Sequence, residues 1–374
     1  MHHTPEPDAD DLDATAPPPP VFHAEQALLG ALLFQPQHLG EVTGIGPDAF
    51  SAAAHGAVFR AIASLPASDP GDHTQSTQWL DAVLGTAREQ APGLTATYLH
   101  HLIQVCPWPR HAPAYARMIE AEHARRRLAA AAQRLGDTAR DTSLPQLVDA
   151  TLDEADALAT VVDDITARFP PQAGPLPRPR ISRQTPAPDQ EALGEEQLLL
   201  ATATAFPTDV EQMRWLTPDD FTHPLHAGLW QCLNALIRRG APVDPVTLLW
   251  EAQHRRLMAA GADPREVLGL LAGPLGSPDH WGERVLQRSL LATAQHTSQV
   301  IYAFTNDPAT TPNQLVVGSR RALADLSAVR TRWHHATAPV PAHPPHPNKP
   351  RRAPHASGAG PPRTTAPPAA RSSR

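Results

Sequence analysis

The sequence contains almost no lysine, few cysteines and few aromatic residues. Lys349 is its single lysine, so nearly all of its 31 basic residues are arginine. Aromatic residues make up only 5% of the chain, so the core must be built from alanine and leucine, which favour helices. Its two cysteines, Cys106 and Cys232, form no C-x-x-C pair. We therefore expect neither a zinc site nor a disulfide framework, but two buried thiols in a reducing cytosol.

Long apolar runs and known catalytic motifs are also missing. No run of 18 apolar residues occurs, which predicts that no segment spans a membrane. The acidic, proline-rich N-terminus is unlike a signal peptide, so we expect a soluble, cytoplasmic protein. No G-x-S-x-G or H-E-x-x-H motif is present. Histidine pairs such as His100 and His101, and the tail histidines His343, His346 and His355, lack cysteines or carboxylates at ligand spacing. We therefore expect no catalytic residue, no cofactor and no metal site.

The 43 prolines divide the chain into tails, a linker and two blocks. Proline removes the backbone donor that helices need, so we predict an acidic disordered tail over residues 1–20, a stiff linker over 169–190 and a basic disordered tail over 336–374. The formal charge of −7 argues against a surface that binds nucleic acid all over. Two blocks remain as predicted domains, residues 21–168 and 191–335, and we expect each to bury its own aliphatic centre.

The two blocks align with one fixed offset of 171 residues. "AEQALLGALL" in the first block is echoed by "EEQLLLATAT" in the second, and 10 of the 41 positions from Glu25 to Leu65 are identical without a gap. The identical positions include Glu25 with Glu196, and His55 with His226. An ungapped match of this length predicts a tandem duplication.

Periodicity within each block is helical. His55, Val58, Phe59, Ile62 and Leu65 form one apolar stripe at helical spacing, repeated from His226 to Leu236. Each block then continues into two long amphipathic segments separated by a turn, near 114–140 and 144–162 in the first block, and 281–304 and 313–333 in the second. The pattern predicts an all-α fold of two repeated helical bundles, each ending in a long αα-hairpin.

The order of these features resembles the N-terminal domain of replicative DNA helicases of the DnaB type. The features are Glu-Gln, a leucine-rich run, Pro-Asp-x-Phe, a histidine five residues later and an aromatic-bearing helix. Block two adds "PVDPVTL", Pro242 to Leu248, the more specific part, whereas block one departs there with "SDPGDHTQSTQWL", Ser68 to Leu80. The resemblance covers about residues 22–167 and 192–334 and implies a helical bundle followed by a hairpin.

In that family this domain performs no chemistry. The resemblance implies that it pairs through its hairpins to form a collar on a hexameric ring and offers a surface to primase and loader proteins. The helicase motor is a separate RecA-like domain, and this sequence has no G-x-x-x-x-G-K-[ST] phosphate loop. We therefore expect a non-enzymatic replication scaffold whose two hairpins pair within the chain, forming a pseudo-dimer, with homo-oligomers possible.

Three alternatives remain open at this point. The chain is an inactive accessory subunit of an ATP-dependent helicase, a DNA-binding protein that uses its arginine-rich hairpin helix and basic tail, or the product of a decayed helicase gene. In the main hypothesis any contact with DNA is indirect.

Several residues are candidates for a role in interaction. Arginines of the long helices are the candidate contacts with a partner: Arg117, Arg125, Arg126, Arg127, Arg134, Arg284 and Arg288. For the first five, we favour a solvated face or ion pairs across the hairpin to Asp153, Glu154, Asp163 and Asp164 over a contact with nucleic acid. We interpret His55 and His226 as packed residues capping the preceding turn, with a partner contact or a pH switch as the alternative. The tryptophans Trp215, Trp230, Trp250 and Trp281 are predicted core or interface anchors.

Overall fold

The computed structural model describes residues 17–66, 77–170, 189–260, 262–274 and 276–338. Within these ranges every regular element is a helix, which confirms the predicted all-α class. The predicted disordered tails and linker concern mostly residues 1–16, 171–188 and 339–374, which lie outside the described residues. None of the described helices is long and apolar enough to cross a membrane.

Module one comprises a head and a hairpin. Its head contains α1 Pro20–Phe34, α2 Ala53–Ser64, α3 Gln78–Arg88 and α4 Ala96–Val105, and its hairpin contains α5 Ala112–Thr138 and α6 Leu147–Arg168.

Module two repeats this order. Its head contains α7 Gln190–Ala205, α8 Pro207–Val210, α9 Pro224–Arg238, α10 Pro245–His254 and α11 Pro264–Leu271, and its hairpin contains α12 Pro278–Asn306 and α13 Pro312–Thr337.

Many helices begin at a proline. Proline suits the first helical position because its missing N–H would have no partner there. At α10 the N-cap Asp244 also accepts the backbone N–H groups of Val246 and Thr247. This preference explains why α1 begins at Pro20, a residue that the sequence pattern placed in the tail. At the other end, α13 continues to Thr337, two residues beyond the expected end of block two.

The apolar stripes predicted from the duplication lie in the two heads. Val58, Phe59 and Ile62 are buried in module one, and Trp230 and Leu233 are buried in module two. The Pro-Asp motif that precedes each stripe forms a separate 3-10 turn, Pro47–Ala49 and Pro218–Asp220, and not the first turn of the long helix.

The two hairpins pack against each other as an antiparallel four-helix bundle. Helix α5 packs along α12, and α6 packs along α13. The Ser298 hydroxyl on α12 donates to the Ala132 carbonyl at 2.6 Å, and the Gln295 amide donates to the Ala139 carbonyl at 3.1 Å. As the number rises along α5 it falls along α12, so the helices run in opposite directions. The intramolecular hairpin pairing expected of a pseudo-dimer is therefore present.

The centre of the bundle is tightly packed at Gly136. A Cβ atom built on this glycine would lie 2.4 Å from the Ser298 Oγ and 3.0 Å from the Ser298 Cβ. Gly136 is therefore needed for the close approach of α5 and α12.

The division of the core differs from the expectation that each module buries its own aliphatic centre. The head of module one has its own cluster, which includes Leu28, Leu32 and Ile62. The apolar face of its hairpin, including Leu135 and Leu158, belongs to the same cluster as module two. The expectation was wrong for this hairpin because its apolar side chains pack against the hairpin of the other module.

The two thiols differ in accessibility. Cys232 is fully buried, and burial raises its pKa to about 11, whereas Cys106 is half-buried. Burial also raises the Cys106 pKa. Because only thiolates react, and about 0.1% of a thiol with a pKa near 11 is ionised at pH 8, we expect a disulfide reagent to modify Cys106 first and Cys232 only on unfolding. The Cys106→Ser variant should lose the fast reaction, and two fast thiols would contradict this assignment.

Candidate interaction surfaces

Arg125 on α5 joins the two modules. Its guanidinium donates to the carbonyls of Thr305, Asp307 and Thr310 at 3.0, 2.8 and 2.6 Å. The Thr305 carbonyl lies in the last turn of α12, where the helix end leaves carbonyls without intrahelical donors. The Asp307 and Thr310 carbonyls lie in the turn between α12 and α13, at the tip of the other hairpin. Arg125 therefore caps the tip of hairpin two.

Two of the predicted ion pairs across hairpin one are present. Arg127 lies 2.9 Å from Asp164, and Arg134 lies 3.4 Å from Glu154, which confirms this part of the expectation.

Other carboxylates of α6 instead join the two modules. Asp163 pairs with Arg320 at 2.8 Å, and Asp156 with Arg330 at 2.5 Å, both on α13. The carboxylates of α6 therefore form ion pairs both within hairpin one and with hairpin two.

Arg117 and Arg126 connect the hairpin of module one to neighbouring backbone. Arg126 donates to the Ala49 carbonyl at 2.5 Å. Arg117 donates to Glu120 at 2.8 Å and to the Arg168 carbonyl at 3.0 Å, and it lies over the Phe169 ring. Phe169 is buried in the bundle core, although the sequence pattern assigned it to the linker.

In module two, Arg284 and Arg288 converge on one buried carboxylate. Their Nε atoms donate to the two oxygens of Glu195 at 2.9 and 2.6 Å. Burial raises the Glu195 pKa, but the hydrogen bonds from both arginines outweigh burial and hold that pKa below its usual value. All seven candidate arginines thus have partners within the chain, and their contact with another molecule stays a prediction.

Arg125 and Arg134 give a matched pair of variants on one helix. We expect Arg125→Ala to lower the free energy of unfolding by about 1–2 kcal/mol, because it leaves helix-end carbonyls unpaired. Arg134→Ala removes an exposed ion pair and should cost less than about 0.5 kcal/mol. Urea unfolding measures both, and equal losses would show that the tip contact contributes nothing beyond an ordinary surface pair.

A buried Glu–His pair occurs at equivalent positions in both heads. In module one, His55 Nδ1 lies 2.7 Å from Glu25 Oε2, and in module two His226 Nδ1 lies 2.6 Å from Glu196 Oε2. All four side chains are almost inaccessible to solvent. The four residues are among the identities that define the duplication, so the repeat preserves this pair.

The second oxygen of each glutamate holds the turn before the next helix. Glu25 Oε1 accepts the Ser51 backbone N–H, and Glu196 Oε1 accepts the Thr222 N–H, both at 2.5 Å. The interpretation of the histidines was therefore right about packing and wrong about capping, because the glutamates bind the turn and the histidines bind the glutamates.

These contacts govern the ionisation of the glutamates. Burial raises the pKa of Glu25, but hydrogen bonds from His55 and Ser51 outweigh burial, so the net pKa lies below its usual value. The pKa of Glu196 is lowered against its own burial in the same way by His226 and Thr222. Each carboxylate is thus held in its charged form.

A similar contact attaches each hairpin to its own head, although its two arginines are not related by the offset of 171. Arg168, at the end of α6, donates to the Gly44 carbonyl at 2.5 Å, and Arg332 on α13 donates to the Trp215 carbonyl at 3.1 Å. Gly44 and Trp215 are related by the offset of 171. Arg332 also binds both oxygens of Asp220, whose side chain is fully buried.

The tryptophans are divided between the core and the surface. Trp230 is buried, and Trp215 and Trp281 pack against the core of module two. Trp250 on α10 is 63% exposed, so it is not a core residue. Among the described residues no group of three histidine, cysteine or acidic side chains is placed to hold a metal ion, and His343, His346 and His355 lie outside the described residues.

The structure defines a duplicated all-α protein in which each module combines a helical head with a long hairpin. The model of the DnaB-like helicase N-terminal domain family matches residues 17–121 and 189–277, together more than half of the chain. The chain therefore belongs to this family and carries its domain twice, which confirms the resemblance. No curated protein and no solved structure matches the chain. Family membership makes it a replication-related protein whose domain type mediates protein interactions.

Proposed function

We propose that this chain is a non-catalytic interaction scaffold of DNA replication that contacts primase, a helicase loader or the replicative helicase ring. In the family the hairpins pair between separate chains. Here α5 pairs with α12 inside one chain, which is the observation that carries the proposal. The covalent connection keeps both modules at a high effective concentration, so the paired unit does not depend on protein concentration.

The internal partners of the hairpin arginines support a scaffold over a DNA-binding protein. Guanidinium groups that bind phosphates must be free to do so, whereas Arg125 and Arg126 donate to carbonyls within the chain. Binding of DNA through the arginine-rich helix would require these contacts to break.

Affinity purification of the tagged full-length chain from its native cell tests the proposal. We expect enrichment of primase, a loader or a replicative helicase, identified by mass spectrometry. Recovery of a stoichiometric complex with a RecA-type helicase would favour the accessory-subunit alternative. If no replication protein is enriched, the scaffold role is wrong.

The variant Gly136→Val tests whether enrichment depends on the paired hairpins, and Gly85→Val is its control. A side chain at this position forces α5 and α12 apart, so enrichment that depends on the paired hairpins should fall. The Gly85→Val variant changes an exposed glycine of α3 with open space around it, and it should leave enrichment unchanged.

A further inference from the structure

A groove of about 870 Å³ lies in the head of module two, between the turn that follows α8 and one side of α9. Three arginines line it, Arg214, Arg238 and Arg255, and all three are exposed. A volume of this size falls within the range of about 300–1,000 Å³ for sites that take small ligands or a few side chains.

The arginines of this groove are largely unpaired, in contrast to those of the hairpins. The guanidinium groups of Arg214 and Arg238 make no ion pair or hydrogen bond with the described residues. Arg255 uses its Nε to bind Glu251 at 2.9 Å, and Glu251 is shared with Arg239 at 2.6 Å. The remaining guanidinium nitrogens are therefore available to a ligand.

The groove contains little negative charge to offset its arginines. Glu211 is the carboxylate among its lining residues, beside the three arginines, and the amides of Gln231 and Asn234 complete the polar side. Guanidinium groups bind carboxylates and phosphates through paired N–H donors. The charge of the groove thus selects an anionic ligand in a protein whose net charge is −7.

The apolar lining distinguishes between anionic ligands. Of the aliphatic residues that line it, Val210 and Leu216 are 2% and 5% exposed and offer almost no surface, whereas Ile237 is partly exposed. Trp230 also lines the groove but is 1% exposed, so it offers no face on which a base could stack, as proteins that bind single strands normally do. Exposed arginines without an aromatic face beside them fit the carboxylates of a peptide better than a nucleic acid strand.

Some residues that line the groove of module two differ from those at the aligned positions of module one. At the offset of 171, Thr43 stands in place of Arg214, and Ala63 in place of Asn234. Arg214 and Asn234 therefore have no counterpart in module one, whereas the buried Glu–His pairs are present in both modules.

We propose that this groove binds an acidic peptide segment of a partner protein, with its carboxylates on the arginines. The inference rests on the proposed scaffold function and specifies the chemistry of one partner. The contact is exposed and charge-based, so binding weakens as salt rises.

Fluorescence anisotropy with the full-length chain tests this inference. The probe is a fluorescein-labelled peptide of sequence DDLDELDD, and the control peptide NNLNQLNN replaces every carboxylate by an amide. At about 50 mM salt, where charge pairs are weakly screened, we expect saturable binding of the first peptide. The amide peptide should bind at least ten-fold more weakly.

Three variants of exposed arginines locate the binding. Arg214→Gln and Arg238→Gln should each weaken binding of the acidic peptide about ten-fold. Arg60→Gln, which changes an exposed arginine on α2 of module one, should leave it unchanged. Equal circular dichroism spectra and unfolding midpoints check that all three variants are folded.

The outcomes separate this inference from the proposed function. No saturable peptide binding, or binding that ignores Arg214 and Arg238, overturns the groove assignment even when replication proteins are still enriched from the cell. Binding of a labelled oligothymidylate that requires both arginines, without peptide binding, also overturns it and assigns the groove to nucleic acid. Peptide binding without enrichment of replication proteins would instead contradict the scaffold role and leave the groove assignment intact.

Discussion

The Glu196→Ala variant is expected to lower the free energy of unfolding by about 2–6 kcal/mol, because it leaves two largely buried hydrogen-bond donors without an acceptor, at about 1–3 kcal/mol each. The loss leaves His226 and the Thr222 backbone N–H without their acceptor in the head of module two. Urea unfolding followed by circular dichroism measures the change.

Two further variants calibrate this result. Glu25→Ala removes the equivalent carboxylate of module one and should produce a loss of similar size. Glu266→Ala changes an exposed glutamate of α11 and should shift stability by less than about 0.5 kcal/mol. If Glu196→Ala behaves like Glu266→Ala, the buried pair does not stabilise the head.

The same pairs predict how stability depends on pH. The pKa values of Glu25 and Glu196 in the folded state lie below the ordinary value of 4.5. Their contribution is therefore present above pH 4.5 and is lost as the pH falls through the lower, folded pKa values. We expect the urea concentration at the unfolding midpoint to fall as the pH drops below about 4.5. In the double variant Glu25→Gln, Glu196→Gln, this midpoint should depend less steeply on pH.

Forcing α5 and α12 apart is expected to produce the other large effect. Gly136→Val places side-chain atoms where the Ser298 side chain already lies, and overpacking of this kind costs up to about 3 kcal/mol. Because the contact joins the two modules, the variant should also loosen the bundle, measured as faster amide exchange in α5 and α12.

The Gly85→Val variant is the matched control for overpacking. A Cβ at Gly85 meets no atom within 4 Å, so this change should leave both stability and exchange close to those of the parent chain. Unchanged exchange in Gly136→Val would contradict the close approach of the two helices.

Much of the fold follows from short-range patterns. The apolar stripe of α2 and its repeat in α9 identified the helices because their period of 3.6 residues is local information. The duplication added long-range information, since one ungapped alignment related Glu25 to Glu196 and His55 to His226. The alignment preserved both members of each buried pair, but it contained no signal that the glutamate and histidine touch.

The contacts between modules were harder to predict. Arg125, Arg127 and Arg134 lie on one arginine-rich helix, and nothing in their spacing shows that Arg125 reaches the tip of the other hairpin while its neighbours pair within their own. The groove of module two also escaped prediction, because Arg214, Arg238 and Arg255 are brought together by the packing of α8, α9 and the end of α10. For Arg214, the difference from Thr43 at the aligned position of module one was the available signal.

The shared core of the bundle has a consequence for biosynthesis. The hairpin of module one buries Leu128, Leu135 and Leu158 in a cluster completed by side chains of α12 and α13, which begin at Pro278 and Pro312. While the ribosome is still translating the second module, these leucines have no permanent cover, and exposed apolar surface of this kind promotes aggregation. We therefore expect a nascent chain of this protein to bind a chaperone until α13 has emerged from the ribosome.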